Sequence, residues 1–289
     1  MNSIKDGWFA EICEMWPGRA LNIKVTKELY NKRSKFQDIK LYETESCGKM
    51  LTLDGIIQFT ESDEFAYQEM MTHPALFSHP NPRRVLVIGG GDGGILREIA
   101  KHDTVEEIDI CEIDEDVINV CKEYVPSLAC GFDDPRVSVH IADGGIFIKE
   151  RRNYYDAIIV DSSDPIGPGE ALFQQTFYEG MKSALAPEGI IAAQGESIFL
   201  HQDIVEKMMR ITKSLFPVWG YACVFIPTYP GGNIGVCLGS MEHPLEKPLR
   251  VPNKAMQDKL KYYTPEIHSA SMHLPAFAAR LMDKVRNNR

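Results

Sequence analysis

The feature that most constrains the fold is a glycine run, Gly89-Gly90-Gly91-Asp92-Gly93-Gly94, set between the apolar stretch RVLVI and the helix-forming stretch ILREIA. A strand that enters a helix through such a turn brings bare backbone close to a ligand. The run contains the G-x-G-x-x-G spacing, and Glu112 follows Asp92 by twenty residues at the end of the next apolar run, where a carboxylate can hold ribose hydroxyls. These signals point to a nucleoside-binding α/β domain. Asp92 narrows the ligand further. A dinucleotide would place pyrophosphate at this turn, against a carboxylate that repels it. An adenosyl sulfonium carries positive charge there instead, so Asp92 favours an S-adenosyl compound over NAD.

The surrounding pattern supports a parallel sheet. RVLVIGG, EEIDICEID, VSVHIAD, YDAIIVD and GIIAAQ read as short buried strands, with helical stretches near 93–101, 115–124, 144–152 and 173–185. Buried strands alternating with helices imply crossover connections and a sheet covered on both faces. A further amphipathic helix over 201–216 precedes YACVFIPTYPGG and NIGVCLGS, a pair suited to antiparallel strands, and the tail 254–289 reads as helical.

Upstream the period changes. ALNIKVTKELY and KFQDIKLYE alternate in the manner of half-buried strands, and KMLTL-Asp54-Gly55-IIQFT fits a two-residue type I′ hairpin, which needs positive φ at both central residues. The helix beginning near Ser62-Asp63-Glu64 is expected to run through FAYQEMM until Pro74 disturbs it. The expectation is a small N-terminal β-stranded domain over 1–62 and a doubly wound, Rossmann-like α/β domain of the methyltransferase type over 63–289.

Ligands of such sheets bind beyond the carboxyl ends of the strands, so the residues ending each run are the candidates. Asp143-Gly144 follows the third strand; the acid suits the exocyclic amine of adenine, or a helix cap. Asp161 and Asp164 follow the fourth strand in a turn with Pro165, Gly167, Pro168 and Gly169. An amine-binding, proton-accepting pair, a magnesium site and plain turn chemistry are the three readings of these acids. Tyr67 and Gln68 on the helix, and Tyr229 between two prolines, can complete a container for alkyl-ammonium groups. Trp16 either packs the N-terminal domain or edges the pocket.

Charge and composition remove other classes. With 41 acidic against 31 basic residues the chain carries a formal charge of −10, which argues against nucleic acid and for cationic or neutral ligands. Seven cysteines show no CxxC and no zinc-like spacing, so a reducing compartment is expected. The eight histidines form neither HExxH nor a partner to GxSxG. No apolar run is long enough for a membrane span and the N-terminus lacks an apolar leader, so the reading is a soluble cytoplasmic protein.

Together, GGGDGGILRE, CEIDEDVI, DSSDPIGPGEALF, QGES and IPTYPGG, with DGWF, WPG, KFQDI, LDGIIQFTESDEFAYQEM and KYY, resemble the spermidine synthases, a family of aminopropyltransferases, and most closely the eukaryotic type. The resemblance runs through nearly the whole chain in unbroken order. It implies transfer of the aminopropyl group of decarboxylated S-adenosylmethionine, as co-substrate, to putrescine, with no metal or prosthetic group. It further implies that Gln37, Gln68, Asp92, Glu112, Asp143 and Gly144 bind the donor, with Pro168 near the methylthioadenosine moiety. Tyr67, Asp161, Asp164 and Tyr229 would hold putrescine, with Asp161 as proton acceptor, in a homodimer. Two departures stand out: Ala142 where many relatives have glycine, and Ser62 where they often have arginine. Putrescine N-methyltransferase, an NAD-dependent oxidoreductase and a non-catalytic paralogue remain the alternatives.

Overall fold

Alternating apolar residues through residues 4–60 build a six-stranded antiparallel sheet in sequence order: β1 (Ile4–Lys5), β2 (Trp8–Glu11), β3 (Leu21–Arg33), β4 (Asp38–Thr44), β5 (Lys49–Leu53) and β6 (Ile56–Thr60). The computed structural model describes residues 4–162 and 167–288, and at 167 and 168 the backbone alone. The β5–β6 hairpin has the expected geometry, with φ of 47° at Asp54 and 83° at Gly55 and Leu53 paired with Ile56. The β1–β2 hairpin, which the residue pattern did not announce, precedes the meander.

After α1 (Glu64–Ser78) the chain alternates β7 (Arg84–Gly89), α2 (Gly94–Ile99), β8 (Glu107–Glu112), α3 (Glu115–Tyr124), α4 (Pro126–Ala129), β9 (Val137–Ile141), α5 (Gly144–Phe147) and β10 (Tyr155–Asp161). Then come α6 (Gln175–Ala184), β11 (Leu185–Gln194), α7 (Gln202–Leu215), β12 (Val218–Phe225) and β13 (Asn233–Ser240). Three C-terminal helices follow, α8 (Lys254–Gln257), α9 (Pro265–Ser271) and α10 (Ala276–Arg286). The second sheet has the order β12-β13-β11-β10-β7-β8-β9. Its five central and edge strands from β11 to β9 are parallel, and β12 and β13 are antiparallel additions. The order reverses between β7 and β10, where the parallel strands leave a crevice at their carboxyl ends.

Two expectations needed revision. The helix does not stop near Pro74: α1 runs through it to Ser78, with every residue but Phe65 buried. The proline removes one helical hydrogen bond at a cost of about 3 kcal/mol, and burial of residues such as Met70, Met71, Leu76 and Phe77 at roughly 1.5–3 kcal/mol each outweighs it. The stretch 144–152 is not one helix but α5 followed by a single 3₁₀ turn over Ile148–Glu150.

The first sheet is not an appendage. Ile39, Leu41, Leu51 and Phe59 form one buried cluster with Val117, Val120, Cys121, Val125 and Leu128 of α3 and α4. That cluster clamps the antiparallel sheet over the carboxyl end of the parallel one, which roofs the crevice.

Candidate active site

At the reversal point Gly89, ending β7, lies opposite Asp161, ending β10. Gly89 has φ +77°, and a Cβ there would stand 2.0 Å from the Asp161 carbonyl oxygen, so only glycine allows the two strand ends this approach. Into the gap α1 sends Tyr67, whose hydroxyl donates to Asp161 Oδ1 at 2.5 Å. Tyr67 and Asp161 thus come from distant parts of the chain and meet at one point. Burial pushes the Asp161 carboxyl up to about 8, the charge of Asp92 adds to that, and the hydrogen bond from Tyr67 opposes it. The Tyr67 phenol is raised well above its ordinary value, by burial first and then by the Asp161 charge.

The glycine turn holds the second acid. Asp92 accepts from Gly94 N at 2.7 Å through Oδ1 and from Gln68 Nε2 at 2.9 Å through Oδ2. Burial raises its carboxyl to about 6, with the Gly94 amide as the main opposing influence. Glu112, ending β8, accepts from Gly91 N at 3.2 Å and Asp114 N at 2.8 Å. Burial raises it to about 7, against the pull of the Asp114 amide. Three carboxyl groups raised in the same way share one crevice. Each regains its charge most easily beside a cation, which is the electrostatic demand of the site.

The crevice is a cleft lined by residues of both sheets and of α1. Its floor is the glycine turn with Asp92, Glu112 and Asp161, and its roof is apolar, from Leu51, Leu53 and Ile57 of the first sheet. Gln37, from the β3–β4 turn, lines the wall on the β8 side, bonded to the Asp114 that also bonds Glu112, and Tyr229 lines it on the β10 side, beside the Tyr67 that bonds Asp161. The Tyr229 ring lies 5.9 Å from that of Tyr67, while its hydroxyl donates to the Gln58 carbonyl at 2.5 Å. Tyr229 therefore offers the cleft an aromatic face. Acids at the floor and aromatic faces at the side suit an alkyl-ammonium chain.

Not every expected residue reaches this wall. Gln37, Tyr67, Asp92, Glu112, Asp161 and Tyr229 line the cleft. Gln68 lies behind Asp92 and reaches the site through it. Asp143 is exposed, and its carboxylate caps α5 by accepting from Ile146 N at 3.1 Å, the helix-cap reading of this residue. Gly144 answers first to packing, since a Cβ there would meet Ile88 Cγ2 at 2.4 Å. Both lie one strand beyond Glu112 on the same sheet edge, because β9 pairs with β8 up to Ile141. Asp164 lies outside the described residues, as does the Pro168 side chain, although neighbouring Gly169 and Leu172 line the cleft.

The cleft also has an end that residue-by-residue reading passed over. Glu196, two positions past β11, has φ +58° and is buried. Its carbonyl accepts from the Tyr221 hydroxyl at 2.7 Å and from Gly235 N at 2.8 Å, which holds this unusual backbone in place. Its Oε2 stands 2.8 Å from His201 Nδ1, and His201 Nε2 lies 3.1 Å from the Met15 carbonyl. Trp16, considered above as a pocket edge, does line the cleft. The strand-end rule that selected Asp161 applies equally to β11 and would have selected Glu196; His201 leaves no comparable signal, since it starts a helix outside any metal or triad motif.

Residues 64–247 match the family model described as the spermine/spermidine synthase domain, and residues 7–61 match the one described as the spermidine synthase tetramerisation domain. A spermidine synthase of Schizosaccharomyces pombe is 51% identical over 97% of this chain and 95% of its own. One from Dictyostelium discoideum is 47% identical over 98% of this chain and 100% of its own. Among solved structures, a spermidine synthase in complex with the transition-state analogue AdoDATO superimposes with a TM-score of 0.91 at 36% identity, over 97% of this chain and 96% of that one. The spermidine synthase of Thermotoga maritima gives 0.89 at 36% identity, over 96% and 94%.

Proposed function

The chain belongs to the spermidine synthase family, and from that premise we propose that it transfers the aminopropyl group of decarboxylated S-adenosylmethionine to putrescine, giving spermidine and 5′-methylthioadenosine. The observation that carries this reading is the Tyr67–Asp161 pair, facing Asp92 and Glu112 across the β7/β10 reversal. A base for an amine and anchors for an adenosyl sulfonium then stand in one cleft.

Putrescine is a dication in water, and its attacking nitrogen has no lone pair until a proton leaves. Asp161 accepts that proton, with Tyr67 fixing its orientation. The freed amine attacks the methylene beside the sulfonium, the carbon–sulfur bond breaks with its electron pair to sulfur, and methylthioadenosine leaves neutral. The new secondary amine carries the charge away. This displacement has no step that requires a metal or a prosthetic group.

Glu112 takes the ribose hydroxyls, Gln37 closes the nucleoside end, and Asp92, supported by Gln68, takes the ammonium of the aminopropyl group. Asp143 and Gly144 border the adenine from the neighbouring strand end, with Pro168 near the methylthioadenosine moiety. Tyr229 and Asp164 guide the putrescine chain. Residues 1–62 form the roof domain and 63–289 the catalytic domain. A homodimer is the proposed assembly; the match of 7–61 to a tetramerisation-domain model supports association of copies without fixing their number, and Trp8 of β2 and the following Ile12 are exposed. A cytoplasmic site is the reading of the cysteine pattern, seven residues with no CxxC and no zinc-like spacing, which suits a reducing compartment.

The test is incubation of the purified protein with putrescine and either decarboxylated or ordinary S-adenosylmethionine. Methylthioadenosine with the first donor supports the reading. S-adenosylhomocysteine with the second would make it a methyltransferase, and neither product would make it a binding protein.

A further inference from the structure

Two buried carboxylates outside the cleft each tie a cleft wall to the rest of the molecule, and they do so at opposite ends. Asp114, 2% exposed, accepts from Ser34 Oγ at 2.6 Å and from Gln37 Nε2 at 2.9 Å with the same oxygen. Its own backbone N–H donates to Glu112, so one residue sets both Glu112 and the β3–β4 turn. Ser34 further accepts from the N–H groups of Phe36 and Gln37 at 3.0 and 3.1 Å, which fixes the turn that carries Gln37. With one amide hydrogen given to a carboxylate, Gln37 keeps its carbonyl oxygen and a second N–H for a ligand.

Asp63, 6% exposed, makes no side-chain cap for α1 although it precedes it. Its carboxylate instead accepts from Thr228 N and Thr228 Oγ1, each at 2.8 Å, and from Thr60 Oγ1 at 2.8 Å. Thr228 immediately precedes Tyr229, and the turn beyond closes by Gly232 N donating to Tyr229 O at 2.8 Å. A carboxylate at the junction of the two sheets thus sets the height of the Tyr229 wall.

We propose that Asp114 and Asp63 are positioning residues that act separately, Asp114 through Ser34 and Gln37 on the donor end of the cleft and Asp63 through Thr228 and Tyr229 on the acceptor end. The assignment of the two ends rests on the function proposed above. Neither residue touches the cleft, so each acts by holding a wall whose own contacts are with substrate.

A crossed kinetic experiment on the full chain tests this. Ser34→Ala is expected to raise KM for decarboxylated S-adenosylmethionine about tenfold, as for a lost hydrogen bond to a charged group, with KM for putrescine within about twofold of the parent. Thr228→Val is expected to do the reverse. Ser34→Thr and Thr228→Ser, which keep the hydroxyls, should restore most of each loss. Asp63→Ala removes the acceptors of the Thr228 N–H and hydroxyl, and it should reproduce the putrescine effect. Equal shifts for both substrates in each variant, or lowered melting temperatures with unchanged KM values, would overturn the proposal. Absence of turnover in the parent protein would instead refute the functional reading.

Discussion

Tyr67 and Asp161, 94 positions apart in the chain, meet through a 2.5 Å hydrogen bond in which the phenol donates to the carboxylate. The bond stabilises the charged form of an acid that burial drives toward neutrality. Its strength therefore bears directly on how readily Asp161 accepts a proton from the substrate and how easily it loses that proton afterwards.

Asp161→Asn removes the base and keeps the volume. The expected result is a fall in kcat of about 10²- to 10⁴-fold, with an unchanged circular dichroism spectrum. Near-normal turnover would show that the proton leaves by another route.

Tyr67→Phe removes the donor that lowers the Asp161 carboxyl. The acidic limb of the kcat/KM–pH profile should move to higher pH in the variant. Profiles of parent and variant from pH 5.5 to 9.5 check this, and a shift in the opposite sense would contradict the assignment.

Stability of the ligand-free protein should fall as pH rises. Asp92 and Asp161 are raised from about 3.8 to about 6 and about 8, so between those limits the folded protein binds more protons than the unfolded chain. Stability from these groups is fully present below the unfolded value and is lost as pH passes through the folded ones. A bound sulfonium neutralises the same repulsion, so the rise in melting temperature on adding decarboxylated S-adenosylmethionine should be larger at pH 8 than at pH 5. Thermal melts with and without donor measure both effects.

Asp92→Asn tests donor choice. Ordinary S-adenosylmethionine carries a carboxylate that Asp92 disfavours, whereas the decarboxylated donor has only the ammonium. Titration calorimetry with the two donors should show the preference for the decarboxylated one shrinking by at least about tenfold, the size of a single charged contact. An unaltered ratio would place the discrimination elsewhere.

Much was legible in the residues themselves because the relevant signals are local. Period-two patterning and Asp54-Gly55 specify the β5–β6 hairpin, and the glycine turn, Asp92 and Glu112, picked out as strand-end residues, do line one cleft. Pro74 misleads for the complementary reason: its cost is local, but the burial that overcomes it comes from the rest of the molecule.

What the tertiary structure decided are the contacts between segments far apart in the chain. Asp143 carries the same strand-end signature as Asp161, yet it sits exposed two residues past an edge strand and caps a helix while Asp161 lies at the reversal point under Tyr67. Glu196, which the strand-end rule would have selected, meets His201 at one end of the cleft, and Asp63 and Asp114 bond Thr228 and Gln37 from segments far away in the chain. The sequence by itself determined the chemistry on offer, a set of acids and aromatic faces at strand ends for a cationic donor and acceptor. Which acids face one another depended on strand order and on the docking of the first sheet, and those arise from the summed burial of apolar side chains that no short segment contains.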